Sequence, residues 1–293
     1  MVMKQILKKT YDLIPFKKTV FTSLKKVWHP SINISKHLHF KGDFKVNIEG
    51  KEFTLRHYGY QIENTIFWEG LDNGWEKMSM GIWKKLCKRS DIILDVGANT
   101  GIFSLVAKTL NPAAKVFAFE PFHNAFLKLQ ANQDLNTFDT VCLETALSDY
   151  DGSATIYPES LDHVLSVTVN KNLSHPKQKV YEMQIKTMKL ATFIEQHIFK
   201  KIDLMKIDVE THEPEVLAGM EKYLDQFRPT MLIEILNDEV GKKVEALVKD
   251  KGYLYFNIDE TNGIRKVDHI FKSDYYNYLL CNQETASYLG LPY

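Results

Sequence analysis

The sequence is poor in cysteine, has no net charge and lacks long apolar runs, and each absence excludes a class of protein. Its three cysteines, Cys87, Cys142 and Cys281, lie far apart without CxxC spacing. A disulfide framework or zinc site is therefore not expected, and a reducing compartment, the cytoplasm, fits best. Basic and acidic residues both number 37, so the basic excess of nucleic-acid binders is missing and no nucleic-acid partner is expected. No apolar stretch approaches the roughly 20 residues that span a bilayer.

Residues 1–28 form a basic arm. It contains seven lysines and one acidic residue, Asp12, so its net charge is +6. One interpretation is peripheral contact with an anionic membrane surface or an acidic partner. The other is a solvated helical lead-in that packs its apolar residues, Phe16 among them, on the domain. Charge runs are more often solvated faces, which favours the second interpretation.

The chain divides into a lead-in over residues 1–90 and a main domain over 91–293. Alternating residues around Gly50 predict a hairpin over 45–55, and apolar spacing predicts a helix over 75–87. From Asp91, short apolar strands alternate with helices, which predicts βαβ crossovers and a doubly wound, mostly parallel sheet. The predicted strands are 92–96, 116–119, 141–147, 202–209, 230–236, 253–258 and 275–280, and the predicted helices are 101–110, 122–135, 214–224 and 238–251. Residues 150–190 interrupt this alternation as a hairpin and loop insertion.

The residues that follow the predicted strands are the first candidates for binding, because ligands of open parallel sheets lie at the carboxyl ends of the strands. After the first strand comes DVGANTG, residues 95–101, whose glycines permit a tight turn. The loop has neither GxGxxG nor P-loop spacing. The Asp95 carboxylate would repel a phosphate and favour an ammonium group, so the loop suits a zwitterionic ligand end.

Two further acidic residues complete a nucleoside pocket. Glu120 follows the second strand at the offset where a carboxylate accepts the hydroxyls of a ribose, and Asp149 follows the third strand, where it would meet an adenine edge. Each residue alone has a structural alternative, because Glu120 can cap a helix and Asp149 can start a turn. Together with the first loop they predict a ribonucleoside that carries an amino-acid end, which is S-adenosylmethionine.

Four motifs resemble the FkbM family of S-adenosylmethionine-dependent methyltransferases: LDVGANTG (94–101), FEP (119–121), ALSD (146–149) and KIDVETHEPEVLAG (206–219). The resemblance covers roughly residues 65–260 and departs from the family pattern at Thr211, where glycine is usual. It implies the class I methyltransferase fold, a Rossmann-like α/β sheet of seven strands, mostly parallel with an antiparallel last strand. It also implies a set of cofactor residues: Asp95, Gly97, Asn99 and Gly101 for the methionine part, Glu120 for the ribose and Asp149 for the adenine region.

The end of the fourth predicted strand is the candidate catalytic centre. Methyl transfer to oxygen needs an acceptor in line with the sulfonium and a base for the hydroxyl proton. Asp208 or His212 is the candidate base, with Glu210 orienting it, although His212 is equally well interpreted as a helix-cap or surface residue. The carboxylates together with Glu234 offer a divalent cation site, but the spacing requires no metal and none is expected.

The sequence therefore predicts an O-methyltransferase that yields S-adenosylhomocysteine. The resemblance points to a hydroxyl of a sugar, glycan, lipid or secondary metabolite. Trp68, Trp75 and Tyr157 in the lead-in and the insertion, with His163, His175 and Tyr181, are candidates to line the acceptor pocket or to pack the insertion. Two alternatives are a non-catalytic nucleoside-binding scaffold and an N-methyltransferase. The second is less favoured, because the Asn/Asp-Pro-Pro-aromatic signature of amino-methylating enzymes is absent.

Overall fold

The computed structural model describes Tyr11, residues 15–157 and residues 181–293, and its contacts divide the chain into two compact units. The first unit is Met1–Trp75 and the second is Glu76–Tyr293, so the helix Lys77–Cys87 belongs to the second unit. Most of the basic arm before Pro15, as well as His163 and His175, lies outside the described residues. Within the described ranges, no helix has the length and apolar character to cross a bilayer.

The first unit contains a hairpin that packs on a helix. Strands β1 (Gly42–Ile48) and β2 (Lys51–His57) pair antiparallel, in agreement with the alternation over 45–55. The inward side chains of the hairpin meet the helix Gln61–Glu69, where the rings of Phe44 and Phe67 make an edge-to-face contact at 5.4 Å. Alternate burial along each strand explains the two-residue sequence period.

The second unit is built on a sheet of eight strands. They are β3 (Ile92–Val96), β4 (Lys115–Phe119), β5 (Val141–Leu143), β9 (Leu204–Ile207), β10 (Thr230–Glu234), β11 (Leu254–Asp259), β12 (Gly263–Val267) and β13 (Asn277–Cys281). Their order is β12-β11-β13-β10-β9-β3-β4-β5. Pairing is parallel from β10 through β5, while β13 runs antiparallel to β10 and β11. The predicted α/β class I architecture with an antiparallel last strand is therefore confirmed.

Helices connect the parallel strands of this sheet. The connections are Ile102–Leu110 between β3 and β4, His123–Asp134 between β4 and β5, Glu213–Ala218 and Lys222–Phe227 between β9 and β10, and Asp238–Val248 between β10 and β11. The chain order reverses between β3 and β9, which makes their carboxyl ends the switch point where ligands bind such sheets.

Several boundaries differ from the sequence prediction. The sheet has eight strands rather than seven, because β12 forms a hairpin with β11 where a loop was expected. The predicted strand 141–147 is interrupted at Glu144 and Thr145, and the predicted helix 214–224 is interrupted at Glu221, whose φ is 50°. The helix Leu190–His197 was not predicted.

A smaller sheet accompanies the insertion. Strands β6 (Ala146–Ser148), β7 (Gly152–Ile156) and β8 (Met183–Lys189) form it in the order β6-β8-β7. Strands β7 and β8 pair antiparallel. Residues 158–180, between them in the sequence, lie outside the described part of the chain.

Candidate active site

The loop after β3 lies at the switch point and is held closely against β9. Gly97 has a φ of +82°, and a Cβ at this position would lie 1.8 Å from the carbonyl oxygen of Asp208. Gly101 has a φ of +84°, and a Cβ there would lie 2.4 Å from Leu129 Cδ1. The Gly97 amide donates to the carbonyl oxygen of Phe119 at 3.0 Å, which ties the loop to the end of β4. Both glycines are thus required by conformation and by space.

Asp95 lies beneath this loop and is only 1% exposed. Its Oδ2 accepts hydrogen bonds from the amide and the hydroxyl of Ser104, at 3.0 and 2.6 Å. Burial raises the pKa of Asp95 to about 6, against the opposing effects of Ser104 and the Lys206 charge. Asp95 therefore anchors the first turn of the helix Ile102–Leu110, and its direct contact with a ligand stays a prediction.

Glu120 follows β4 with its carboxylate fixed by two backbone amides. Oε2 accepts a hydrogen bond from Asn99 at 2.8 Å, and Oε1 accepts one from Phe122 at 2.9 Å. Burial raises the pKa of Glu120 to about 7, although both amide hydrogen bonds oppose the shift. Each oxygen has a second lone pair, so the carboxylate can still accept both hydroxyls of a ribose. This donor–acceptor chemistry fits the predicted cofactor, and Asn99 is fixed beside it with a φ of +49°.

The sequence predicts that Asp149 follows the third strand of the main sheet, and the structure contradicts this. It follows β6 in the smaller sheet and is exposed. Its Oδ1 accepts a hydrogen bond from the hydroxyl of Ser148 at 3.2 Å. The end of β6 is nevertheless close to the candidate catalytic segment, because Ser148 Oγ also lies 3.0 Å from His212 Nε2. The adenine contact of Asp149 stays a prediction.

The segment after β9 has an unusual backbone. Glu210 and Thr211 have φ angles of 55° and 77°, in the left-handed region that glycine favours. For a β-branched residue such as Thr211 this conformation is strained, and strain of this kind concentrates at functional sites. Glu213 is fully buried, and its Oε1 accepts a hydrogen bond from the Val209 amide at 3.1 Å. This hydrogen bond links the two ends of the segment. Burial raises the pKa of Glu213 to about 8, against hydrogen bonds from the backbone.

Lys206, in the middle of β9, is a buried cation surrounded by acidic groups. It is 1% exposed, and its Nζ donates to Asp208 Oδ2 at 3.0 Å. Burial alone would lower the pKa of Lys206, but the charges of Asp208, Glu76 and Glu234 outweigh it and raise the pKa. Burial, and then the charge of Asp208, raise the pKa of Glu234 well above its ordinary range. Burial and the neighbouring carboxylate thus both favour the protonated form of Glu234.

His212 bridges two elements rather than capping a helix. It is 5% exposed and precedes the helix Glu213–Ala218, but its side chain makes no capping hydrogen bond. Nε2 lies 3.0 Å from Ser148 Oγ, and Nδ1 lies 3.6 Å from Glu215 Oε2. Both ring nitrogens therefore face protein groups, and of the two interpretations of His212 the surface one is wrong.

The carboxylates at the ends of β9 and β10 converge. Asp208, Glu210 and Glu234 each offer one oxygen, and these oxygens lie within 4.8 Å of one another. Oxygen ligands of this type suit a hard divalent cation. The Lys206 ammonium already provides a positive charge to the same group at 3.0 Å.

Two contributors to this cluster were missed by the sequence analysis. Lys206 interrupts an otherwise apolar strand, and a lysine in that position signals a buried ion pair. Glu76 gave no such signal, because it lies far from the motifs in the sequence. Burial raises the pKa of Glu76 to about 7, and within the described residues its Oε2 has no hydrogen-bond partner.

Comparison with known proteins identifies the family of this chain. The family model of the methyltransferase FkbM domain matches residues 95–255, more than half of the chain. The hexuronic acid methyltransferase AglP of Haloferax volcanii is 31% identical over 163 residues, which cover 56% of this chain and 63% of AglP. The 31-O-demethyl-FK506 methyltransferase FkbM of Streptomyces tacrolimicus is 29% identical over 189 residues, which cover 56% of this chain and 72% of that protein.

A crystal structure of methyltransferase FkbM from Methylobacillus flagellatus KT is also similar. It aligns with a TM-score of 0.41 and 14% identity over 65% of this chain, which spans 43% of the solved chain. The family match spans the first loop, Glu120 and Asp149, from which the sequence predicts the cofactor, and also the candidate catalytic segment after β9. The chain belongs to the FkbM family of S-adenosylmethionine-dependent methyltransferases.

Proposed function

We propose that this chain transfers the methyl group of S-adenosylmethionine to a hydroxyl of a sugar, glycan, lipid or other small metabolite in the cytoplasm. The supporting observation is that Gly97, in the loop after β3, touches the Asp208 backbone at the carboxylate cluster. A cofactor on this loop would thus lie beside groups that can accept a proton. The name of one relative, a 31-O-demethyl-FK506 methyltransferase, supports transfer to oxygen, and the name of another, a hexuronic acid methyltransferase, supports a sugar-type acceptor.

The proposed cofactor site uses the first loop, Glu120 and Asp149. S-adenosylmethionine, when bound, supplies a methyl group on an electrophilic sulfonium. Glu120 would accept the ribose hydroxyls through the two oxygens that Asn99 and Phe122 hold in position. Gly97 and Gly101 would leave room for the methionine part close to the backbone, while Asp149 would face the adenine.

Asp208 is the proposed base. Its side chain is 28% exposed, so one carboxylate edge is accessible while Lys206 fixes Oδ2. His212 is less suited to this role, because it is 5% exposed and its Nε2 lies 3.0 Å from Ser148 Oγ. We assign His212 the positioning of the segment after β9, and we assign Glu210, whose carboxylate lies near that of Asp208, the orientation of the base.

A divalent cation is not required in this proposal. Lys206 Nζ lies 3.0 Å from Asp208 Oδ2, so the chain itself supplies a positive charge at this carboxylate. Methyl transfer should therefore withstand EDTA and show no dependence on added magnesium. A strict magnesium requirement would instead assign Asp208, Glu210 and Glu234 to a metal that acidifies the acceptor hydroxyl.

The test is formation of S-adenosylhomocysteine with a panel of hydroxyl acceptors, comparing the parent chain with D208N and H212N. Asp208→Asn should lower kcat by roughly 100-fold or more with cofactor affinity retained, as expected for loss of a general base. His212→Asn should lower it less, and Asp250→Asn, at an exposed position with a φ of 60°, is the matched control.

The same assay separates the alternative functions. Cofactor binding without product from any hydroxyl acceptor would favour the nucleoside-binding scaffold. Product from amine acceptors alone would favour N-methylation. Equal kcat for the parent and D208N would remove Asp208 from the role of base.

A further inference from the structure

The first unit exposes an unusual concentration of large apolar side chains. Of the thirteen such side chains that are exposed in the described ranges, six lie within residues 16–34. Their exposed fractions range from 38% to 84%, and they are Phe16, Val20, Val27, Trp28, Ile32 and Ile34. We call this group of six the lead-in surface. The exposure of Phe16, at 78%, contradicts the interpretation that this side chain packs on the domain.

The segment that carries the lead-in surface is held by contacts with residues of the helix Gln61–Glu69. Phe21, between the exposed residues, is buried with its ring 5.7 Å from that of Trp68. Asn64 Nδ2 donates to the carbonyl oxygen of Ser35 at 2.7 Å, and Trp68 Nε1 donates to that of Leu38 at 2.9 Å. The segment is thus attached to the helix Gln61–Glu69. Trp28 also contacts the Trp68 ring edge-on at 6.4 Å, but it remains 38% exposed.

The charge of this region has one sign. Residues 15–41 contain six lysines and no aspartate or glutamate. Four of these lysines, Lys18, Lys26, Lys36 and Lys41, are exposed. Exposed apolar side chains interspersed with lysines are the composition of segments that lie in the headgroup region of anionic bilayers. Trp28 adds the residue type that is enriched at membrane interfaces.

We propose that the lead-in surface binds an anionic lipid bilayer. The apolar side chains enter the boundary between headgroups and acyl chains, and the neighbouring lysines pair with lipid phosphates. Charge complementarity selects this occupant, because residues 15–41 offer positive charge and apolar contact together without a single acidic side chain. The proposal concerns the first unit alone and does not depend on methyl transfer.

The test is co-sedimentation of the full chain with phosphatidylcholine vesicles, with and without about 30% phosphatidylglycerol. The parent should bind the anionic vesicles and bind neutral ones much more weakly. K18S/K26S/K36S should lose roughly 100-fold in partition coefficient, since each lysine near an anionic surface contributes about a fivefold gain. V27S/W28S should lose about tenfold or more through its lost apolar contact.

The matched control is K242S/K249S/K272S, which removes three exposed lysines from the second unit and should bind like the parent. Equal binding by the parent and K18S/K26S/K36S would overturn the proposal, as would absence of parent binding to anionic vesicles. Dimers that form without lipid and disappear in V27S/W28S, with no vesicle binding, would overturn it and assign the surface to a second copy of the chain. None of these measurements needs cofactor or acceptor, so their failure leaves the methyl-transfer proposal untouched.

Discussion

Gly97→Ala tests whether the loop after β3 is held by contact with the end of β9. The added Cβ would lie 1.8 Å from the Asp208 carbonyl oxygen and 3.3 Å from Val209 Cγ1, so the two strand ends must separate. Overpacking of this kind costs about 1–3 kcal/mol. The positive φ of Gly97 adds about 1–2 kcal/mol for an L-residue. We expect the free energy of unfolding in urea, followed by circular dichroism, to fall by about 2–5 kcal/mol.

Two glycines in the same unit separate these contributions. Gly290 has a φ of +72° and no atom within 4 Å of the position that an added Cβ would take, so Gly290→Ala should lose only the conformational part, about 1–2 kcal/mol. Gly81 lies in the helix Lys77–Cys87 with open space around it, so Gly81→Ala should gain about 0.5–1 kcal/mol. Equal losses for Gly97→Ala and Gly290→Ala would refute the close contact between the loop and β9.

Two further predictions concern buried charges. Burial raises the pKa of Glu213 from 4.5 to about 8, so its contribution to stability is full below pH 4.5 and is lost as the pH rises through about 8. The stability of the parent relative to Glu213→Gln should therefore fall by up to about 1.4 kcal/mol per pH unit across that window; a difference in urea unfolding that stays constant with pH would contradict this. Lys206→Met leaves Asp208 without its buried partner and should cost about 3 kcal/mol at pH 7, and an unchanged urea midpoint would show that the pair contributes nothing.

The main features of the sheet were predictable because buried parallel strands have a distinctive composition. The strands β3, β4, β9 and β10 are buried along almost their whole length and are mainly apolar, so few other structures suit them. Their ends also indicated the loop glycines and Glu120, since parallel strands bring their carboxyl ends to one edge. β12 was missed because its residues are half-buried or exposed at the sheet edge and lack a marked apolar pattern.

The details of the site depend on contacts that no local pattern records. The Asp95 carboxylate accepts hydrogen bonds from Ser104 in the first turn of the next helix, and this contact forms only in the folded protein. Glu76 joins the cluster around Lys206 from a distant part of the chain, and only the folded sheet brings the two together. His212 pairs with Ser148, which belongs to a separate small sheet that the sequence analysis had merged with the main one.

The central claim is that the loop after β3 and Glu120 form the S-adenosylmethionine site, and calorimetric titration tests it most directly. The parent chain should bind both S-adenosylmethionine and S-adenosylhomocysteine saturably, with no need for magnesium. Glu120→Ala removes the acceptor of both ribose hydroxyls and should weaken binding by roughly 10- to 100-fold, at about 1.5–3 kcal/mol for hydrogen bonds to a charged group. Absence of binding to the folded parent, or equal affinity in Glu120→Ala, would contradict the account.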